Sequence, residues 1–343
     1  MSNPLSSQAL GPVSPALLTR LACPLRVAFE QAGTCGSAEP SEAAALGTVA
    51  HRAIELALQG DELNDAWAQG CAEEQARSGA DPMEYPAARR TLLRLKKHLP
   101  RLLELLGTMP DSRRLSETWL ETADVALGGK PDLVAISPDN LALVIDYKSG
   151  LVSDEEGVKS AYVRQLLFYG VLVDECLTAT PVMLALLSLR EGVVQVEPST
   201  EGMAEVATLA RAARLEFNQR VPGAQPAEPS EENCQWCRFA ARCNAFWQAV
   251  EPHWAVAVGD AVRGTVEADP EHSTTGVTTL RVMVEHGPLA GSMAILAGIP
   301  SHLVASAAIG SVVSVLDLRA RSEDPLVLTW TNRATSLSRI VVS

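Results

Sequence analysis

The stretch from Lys130 to Lys148 constrains this chain more than any other. It reads Lys-Pro-Asp132-Leu-Val-Ala-Ile136, then Ser-Pro-Asp-Asn, then Leu141-Ala-Leu-Val-Ile-Asp146-Tyr-Lys148. Two short aliphatic, β-rich runs flank a polar segment, which is the pattern of a hairpin. Pro138 suits the first central position of a type I turn, and Asn140 tolerates the left-handed conformation. A three-residue loop, Pro138-Asp139-Asn140, is therefore expected. That register sets Ser137 opposite Leu141 and Asp132 opposite Asp146. Lys148 lies two residues beyond Asp146 and shares its face, because side chains alternate along a strand. The intervening residues are almost all apolar, so both strands are expected to be central and buried.

Two carboxylates held about 4 Å apart repel by about 4 kcal/mol at an effective dielectric near 20. A fold sets them there only with compensation. One is protonated, or Lys148 pairs with them, or a divalent cation sits between them. Oxygen ligands favour Mg²⁺ or Mn²⁺. Such a cation binds a phosphate and lowers the pKa of an attacking water, while a nearby ammonium orients that water and offsets developing charge. The set therefore suits phosphodiester hydrolysis. A buried Asp–Lys pair without metal is the plain alternative.

Around this hairpin the apolar rhythm predicts helices at 14–31, 43–59, 61–79, 84–106, 157–175 and 201–218, and strands over 117–127 and 182–189. In the helix that contains Gln165 and Tyr169, these two residues stand at i and i+4 and share a face. Alone, they read as a surface amide beside a core tyrosine. His51 sits in an otherwise apolar helix, where a lone histidine is usually a satisfied core residue. With two acids nearby it becomes a further metal-ligand candidate.

After the Pro-rich linker NQRVPGAQPAEPSEEN comes Cys234-x2-Cys237-x5-Cys243. Three close thiolates need a fourth ligand, for a zinc site or for an iron–sulfur cluster, and Cys23 and Cys35 are the candidates. Cys71 and Cys176 fall in helical patterns and read as core residues. Spacing alone leaves zinc and iron–sulfur equally open. Beyond residue 255, strand-like runs at 258–268, 277–285, 292–298, 311–320 and 325–331 suggest a small β-barrel.

The 28 basic and 41 acidic residues give a net charge of −13, which argues against a non-specific DNA coat but not against a nucleic-acid enzyme. The basic residues concentrate locally at Arg89, Arg90, Arg94, Lys96, Lys97 and Arg101, either a solvated helix face or a phosphate contact. The N-terminus MSNPLSSQAL lacks the marks of a signal peptide, and no apolar run is long enough to span a bilayer. A cytoplasmic protein without membrane contact is expected.

The order His51, Asp132, Asp146-x-Lys148, Gln165-xxx-Tyr169 and then the cysteine triplet resembles the PD-(D/E)XK nucleases of the RecB type. It is most similar to their iron–sulfur subgroup, which includes CRISPR-adaptation exonucleases and helicase-associated nucleases. Leu21-Ala-Cys23-Pro24 matches the N-terminal cysteine of that subgroup, and Gly129-Lys-Pro-Asp132 matches the approach to the first acid. Asp146 stands where Glu is commoner. The resemblance covers roughly residues 14 to 250.

The resemblance implies a restriction-endonuclease-like α/β core, a mixed central sheet flanked by helices, over residues 1–254. The resemblance does not account for residues 255–343, for which the strand pattern makes a barrel of oligonucleotide-binding (OB) type one candidate, and a plain interaction or packing domain the other. The resemblance implies Mg²⁺ or Mn²⁺ on His51, Asp132 and Asp146, with the Tyr147 carbonyl joining. Lys148 would position the water, and Gln165 with Tyr169 would hold the DNA strand. Glu117 and Glu121 are secondary candidates for the metal shell. Cys23, Cys234, Cys237 and Cys243 would hold a [4Fe–4S] cluster of mainly structural role.

The implied function is a DNA exonuclease on single-stranded ends, in DNA repair or antiviral defence. The alternative is a non-catalytic DNA-binding or scaffold subunit of a helicase–nuclease or defence complex. No GxxxxGK[ST] loop is present, so duplex unwinding would need a helicase or ATPase partner.

Overall fold

The computed structural model describes residues 7–33, 41–221, 223–254, 260–331 and 340–343. Cys35 and the expected boundary at residues 254 and 255 fall on or beside residues outside this set. By internal contacts the chain forms two compact units. One holds residues 9–19 and 40–219; the other holds the described parts of residues 1–8, 20–39 and 220–343. Among the described residues, no helix is long and apolar enough to cross a membrane.

The expected helix over 14–31 is two helices, α1 (Pro15–Leu21) and α2 (Pro24–Gln31). Pro24 has no N–H to donate into a preceding turn and pushes the residue before it towards extended backbone. Cys23 accordingly has φ −131° and ψ 93° and becomes the cap of α2. The helices α3 (Glu42–Gln59), α4 (Leu63–Ser78) and α5 (Ala88–Gly107) follow as expected. Ser41 caps α3 by accepting from the Ala44 N–H.

The expected strand over 117–127 is broken. β1 (Arg113–Ser116) stops at Glu117, whose φ of 44° lies in the left-handed region, and β2 (Leu120–Glu121) forms a small ribbon with β3 (Gly128–Gly129). The hairpin strands are β4 (Leu133–Ile136) and β5 (Leu141–Lys148). A second ribbon, β6 (Ser153–Asp154) with β7 (Gly157–Val158), leads into α6 (Ser160–Leu177). Then come β8 (Thr180–Ser188), β9 (Gly192–Val196), which the sequence reading did not mark, and α7 (Thr200–Gln219).

The central sheet has the order β1-β4-β5-β8-β9. β5 and β8 run parallel and the other pairs antiparallel. On one face, α3, α4 and α5 share a core with Leu133, Ala135, Leu143, Ile145, Tyr147 and Leu187. On the other, α6 crosses so closely that a Cβ on Gly170 would lie 2.7 Å from Met203 Sδ of α7 and 3.7 Å from Leu184 of β8. Helices on both faces explain why the hairpin strands read as continuous apolar runs.

In the other unit, α8 (Glu231–Gln235) and α9 (Asn244–Ala249) carry the cysteine segment. The strands β10 (Asp260–Val266), β11 (Glu271–His272), β12 (Val277–His286), β13 (Met293–Pro300), β14 (Val312–Glu323), β15 (Leu326–Trp330) and β16 (Ile340–Val342) follow. Five of them close into a barrel in the order β10-β12-β13-β15-β14, sealed by β10 against β14. β13 and β15 are parallel. This is the OB-like connectivity expected, and Val262, Leu280, Val282, Leu296, Val315 and Leu328 fill its interior. Phe246 and Trp247 of the cysteine segment share a core with Ala261 and Leu316 of the barrel wall.

Candidate active site and cysteine cluster

The hairpin adopts the expected register. Leu133 pairs with Ile145 and Ile136 with Ala142, which places Asp132 opposite Asp146. Asn140 takes φ 58°, its N–H donates to the Ser137 carbonyl, and the Ser137 N–H donates to the Leu141 carbonyl at 2.9 Å. The turn chemistry written in Pro138-Asp139-Asn140 thus decides which carboxylates meet.

Asp132 is held from two sides. Its Oδ2 accepts the Tyr147 N–H at 2.6 Å, and its Oδ1 lies 3.3 Å from His51 Nδ1. The His51 ring comes off α3 and meets Tyr147 edge-on, with centroids 5.4 Å apart. Burial lowers the His51 pKa, but the bond to Asp132 and the charges of Asp132, Asp146 and Glu117 outweigh it, so the net shift is upward. Glu117 joins this group. One ligand atom each from His51, Glu117 and Asp132 lie within 4.8 Å of one another.

Glu117 sits at the left-handed kink after β1, where its N–H donates to the Asp132 carbonyl at 3.1 Å. Its carboxylate also pairs with Lys130. Kinks of this kind cost about 1–3 kcal/mol and persist where surrounding structure holds them. Glu121, the other secondary candidate, lies in the ribbon, where its carboxylate accepts from Trp119 Nε1 at 3.2 Å.

Asp146 is the buried member, with its residue 3% exposed. Lys148 Nζ stands 2.5 Å from its Oδ2, and Gln165 Nε2 donates to its Oδ1 at 2.9 Å. The Lys148 ammonium is the group that faces Oδ2. Burial first, then the charge of Asp132, pushes the Asp146 pKa up, while Lys148 and His51 hold it down. The tight three-residue group thus contains Glu117 rather than Asp146. Asp146 is the neighbour that feels the charge of Asp132 and whose own charge acts on His51.

Gln165 also reaches the Tyr169 hydroxyl at 3.4 Å. Tyr169 itself is buried, its ring in contact range of Gly129, and burial followed by the Asp146 charge raises its pKa. The two residues do share a face, as expected, but that face points at Asp146. Lys148 in turn stands 5.2 Å from the centre of the Tyr162 ring.

Two grooves flank these residues. One, of about 480 Å³, is lined by His51, Glu117 and Ser149 with residues of α3 and α4. The other, of about 330 Å³, is lined by Lys148, Tyr162, Arg164 and Gln165 with Pro15 and Leu18 of α1.

In the other unit, Cys23, Cys234, Cys237 and Cys243 line a single apolar cavity walled by Leu25, Phe29, Phe239 and Phe246. None is in a disulfide. Burial pushes the Cys234 thiol up to about 12, and the other three cysteines press in the same direction. Cys237 and Cys243 are raised by burial too, again with Cys23 adding to it. Burial holds the Cys234, Cys237 and Cys243 thiols un-ionised, and a cationic centre reverses that balance. The Glu228 N–H donates to Cys23 Sγ at 3.5 Å. Cys71 is a core residue of the α3–α4 packing, as expected.

The family model described as the PD-(D/E)XK nuclease superfamily matches residues 13–244. No curated protein matches the chain. Among solved structures, a Eubacterium rectale protein with a provisional exonuclease name matches at 11% identity and TM-score 0.44, covering 70% of this chain and 88% of that one. SSO0001 matches at 16% identity and TM-score 0.32 with the same coverage. LHK-Exo, solved with dAMP, matches at 17% identity and TM-score 0.29, covering 52% of this chain and 91% of that one. These overlaps are loose, and the weight of the comparison rests on the family match.

Proposed function

Because the chain belongs to the PD-(D/E)XK nuclease superfamily, we propose that it is a Mg²⁺- or Mn²⁺-dependent deoxyribonuclease acting on single-stranded DNA ends. The observation that carries this reading is the convergence of His51, Glu117 and Asp132 within 4.8 Å, beside the buried pair of Asp146 and Lys148. Three of these groups, Glu117, Asp132 and Asp146, are carboxylate oxygen donors, so the residues fit a hard divalent cation. His51, Asp132 and Asp146 hold it, with Glu117 as a further ligand. When bound, the cation supplies Lewis-acid activation of water and phosphate.

The protein's own groups do the rest. Lys148 orients the attacking water and offsets charge on the phosphate. The Tyr147 N–H and His51 fix the rotamer of Asp132, and Gln165 fixes that of Asp146. In this reading Gln165 and Tyr169 hold the strand through polar edges left beside Asp146.

Cys23, Cys234, Cys237 and Cys243 hold a [4Fe–4S] cluster that ties α2 to the cysteine segment, with a structural role. What supports it is the gathering of four thiols in one apolar cavity, together with the motif resemblance. Metal analysis separates this from zinc: iron with visible absorption supports the cluster, and zinc in a colourless protein rejects it. A DNA end from a separate motor chain, in repair or antiviral defence, fits a nuclease without an ATP loop.

The test is Mn²⁺-dependent cleavage of end-labelled single- and double-stranded DNA by wild type and Lys148→Ala. Loss of product in the variant is expected. Equal product from both proteins rejects the reading and leaves the non-catalytic scaffold.

A further inference from the structure

Helix α5 carries a local concentration of positive charge in a chain whose net charge is −13. Arg90, Arg94, Lys97 and Arg101 follow at intervals of four, three and four residues, so they form one row along the helix. The opposite side is core, with Leu95, Leu99, Leu102 and Leu106 buried. Arg90, Lys97 and Arg101 are exposed and Arg94 is half-buried.

Three arginines elsewhere in this unit are paired. Arg52 binds Glu55 and Glu73, Arg77 binds Glu74, and Arg211 binds Asp124 and Glu175. In the row only Arg101 has a partner, Glu104, and both side chains are exposed. Among the described residues no carboxylate lies within ion-pair reach of Arg90, Arg94 or Lys97. Like charges at this spacing cost helix stability, so the row is a cost to the fold without a return inside it.

The row also has a defined place. Lys97 and Arg101 wall a groove of about 710 Å³ with Gly192 and Gln195. His98 packs so closely that a Cβ on Gly192 would lie 3.0 Å from its Nδ1. Gly192 pairs with Ser188, and Ser188 pairs with Lys148. The groove therefore opens at the same end of the sheet as Lys148, two strand spacings or about 10 Å across. Glu191 at its rim is turned to the backbone N–H groups of Val152 and Ser153.

We propose that this row is a second contact surface for the substrate, binding the phosphate backbone of the duplex that runs away from the cleavage site; the proposal rests on the nuclease reading. Helix α5 has no aromatic side chain on which bases could stack, which favours backbone contact over single-strand stacking. From Arg90 to Arg101 the row is about 16 Å long.

The experiment uses the full chain with Lys148→Ala and Ca²⁺, so that nothing is cleaved, and a fluorescent duplex with a single-stranded tail. Adding Arg90→Gln, Arg94→Gln and Lys97→Gln should weaken binding about tenfold or more at low salt and lower the slope of log K against log salt by about 2.7, or about 0.9 per contact. The charge-keeping Arg90→Lys/Arg94→Lys variant should bind as before. Hydrolysis of bis(p-nitrophenyl) phosphate by the triple variant with Lys148 intact should be unchanged, because that substrate is too small to reach α5. Unchanged affinity and salt slope in the triple variant overturns the proposal, as does a loss confined to single strands. If the wild type cleaves nothing, the nuclease reading fails, while the salt slope still decides the role of the row.

Discussion

Replacing Lys148 with alanine isolates the electrostatics of the buried half of the site. Its Nζ stands 2.5 Å from Asp146 Oδ2, with side chains 20% and 4% exposed. Coulomb's law at that separation gives about 7 kcal/mol for an effective dielectric near 20, an upper bound. Breaking a buried pair by removing one partner costs about 3–5 kcal/mol, because the other charge is left uncompensated. With a fifth of the lysine exposed, the lower end, about 3 kcal/mol, is expected for the metal-free protein at a pH where Asp146 is ionised in both proteins.

The pH dependence gives the sharper test. Burial and then Asp132 raise the folded pKa of Asp146, and Lys148 opposes them, so Lys148→Ala raises it further. A protonated Asp146 needs no cation. The penalty is therefore full above the folded pKa of Asp146 in the variant, shrinks as pH falls through that value, and is gone below the wild-type folded value of about 6, where Asp146 is neutral in both proteins. In Asp146→Asn/Lys148→Ala the penalty should largely vanish relative to Asp146→Asn alone. Urea midpoints of the four proteins at neutral and acid pH, with slopes unchanged, measure all of this. A penalty equal at both pH values, or undiminished beside Asp146→Asn, would refute the reasoning.

Glu117→Gln should weaken Mn²⁺ binding about 10–100-fold by calorimetry, while Glu121→Gln, in the ribbon beside Trp119, should leave it unchanged. Gly129→Ala sets a methyl 3.1 Å from Leu172 Cδ1 and 3.2 Å from Tyr169 Cε1. It should lower stability by about 1–3 kcal/mol and keep Mn²⁺ binding; an unchanged urea midpoint would show that the close packing is not tight. Cys234→Ser with Cys237→Ser should abolish bound iron and visible absorption and increase proteolysis of the 220–254 segment. Retained iron in that double variant would remove these cysteines from the cluster.

The hairpin was legible because its information is local. Pro138 and Asn140 choose the turn, the turn chooses the register, and a period of two then fixes Asp132, Asp146 and Lys148 on one side. The same holds for α3, for α7 and for the five barrel strands, whose apolar alternation needs no partner to be seen. The break at Cys23-Pro24 was equally written in the chain, since a proline acts on its own neighbours, but the apolar rhythm on both sides hid it.

Other features depended on contacts that no local pattern carries. Glu117 enters the site through a left-handed kink that its N–H bond to the Asp132 carbonyl accompanies, a contact across two elements. Gln165 points to Asp146 rather than outward because α6 crosses β5 at that height. Local pattern sets which residues carry charge and which strand faces they occupy. Which carboxylates share a ligand position is set in three dimensions, because side-chain convergence depends on the angle and height at which α3, α6 and the chain beyond β1 meet the hairpin, and those follow from packing of the whole sheet.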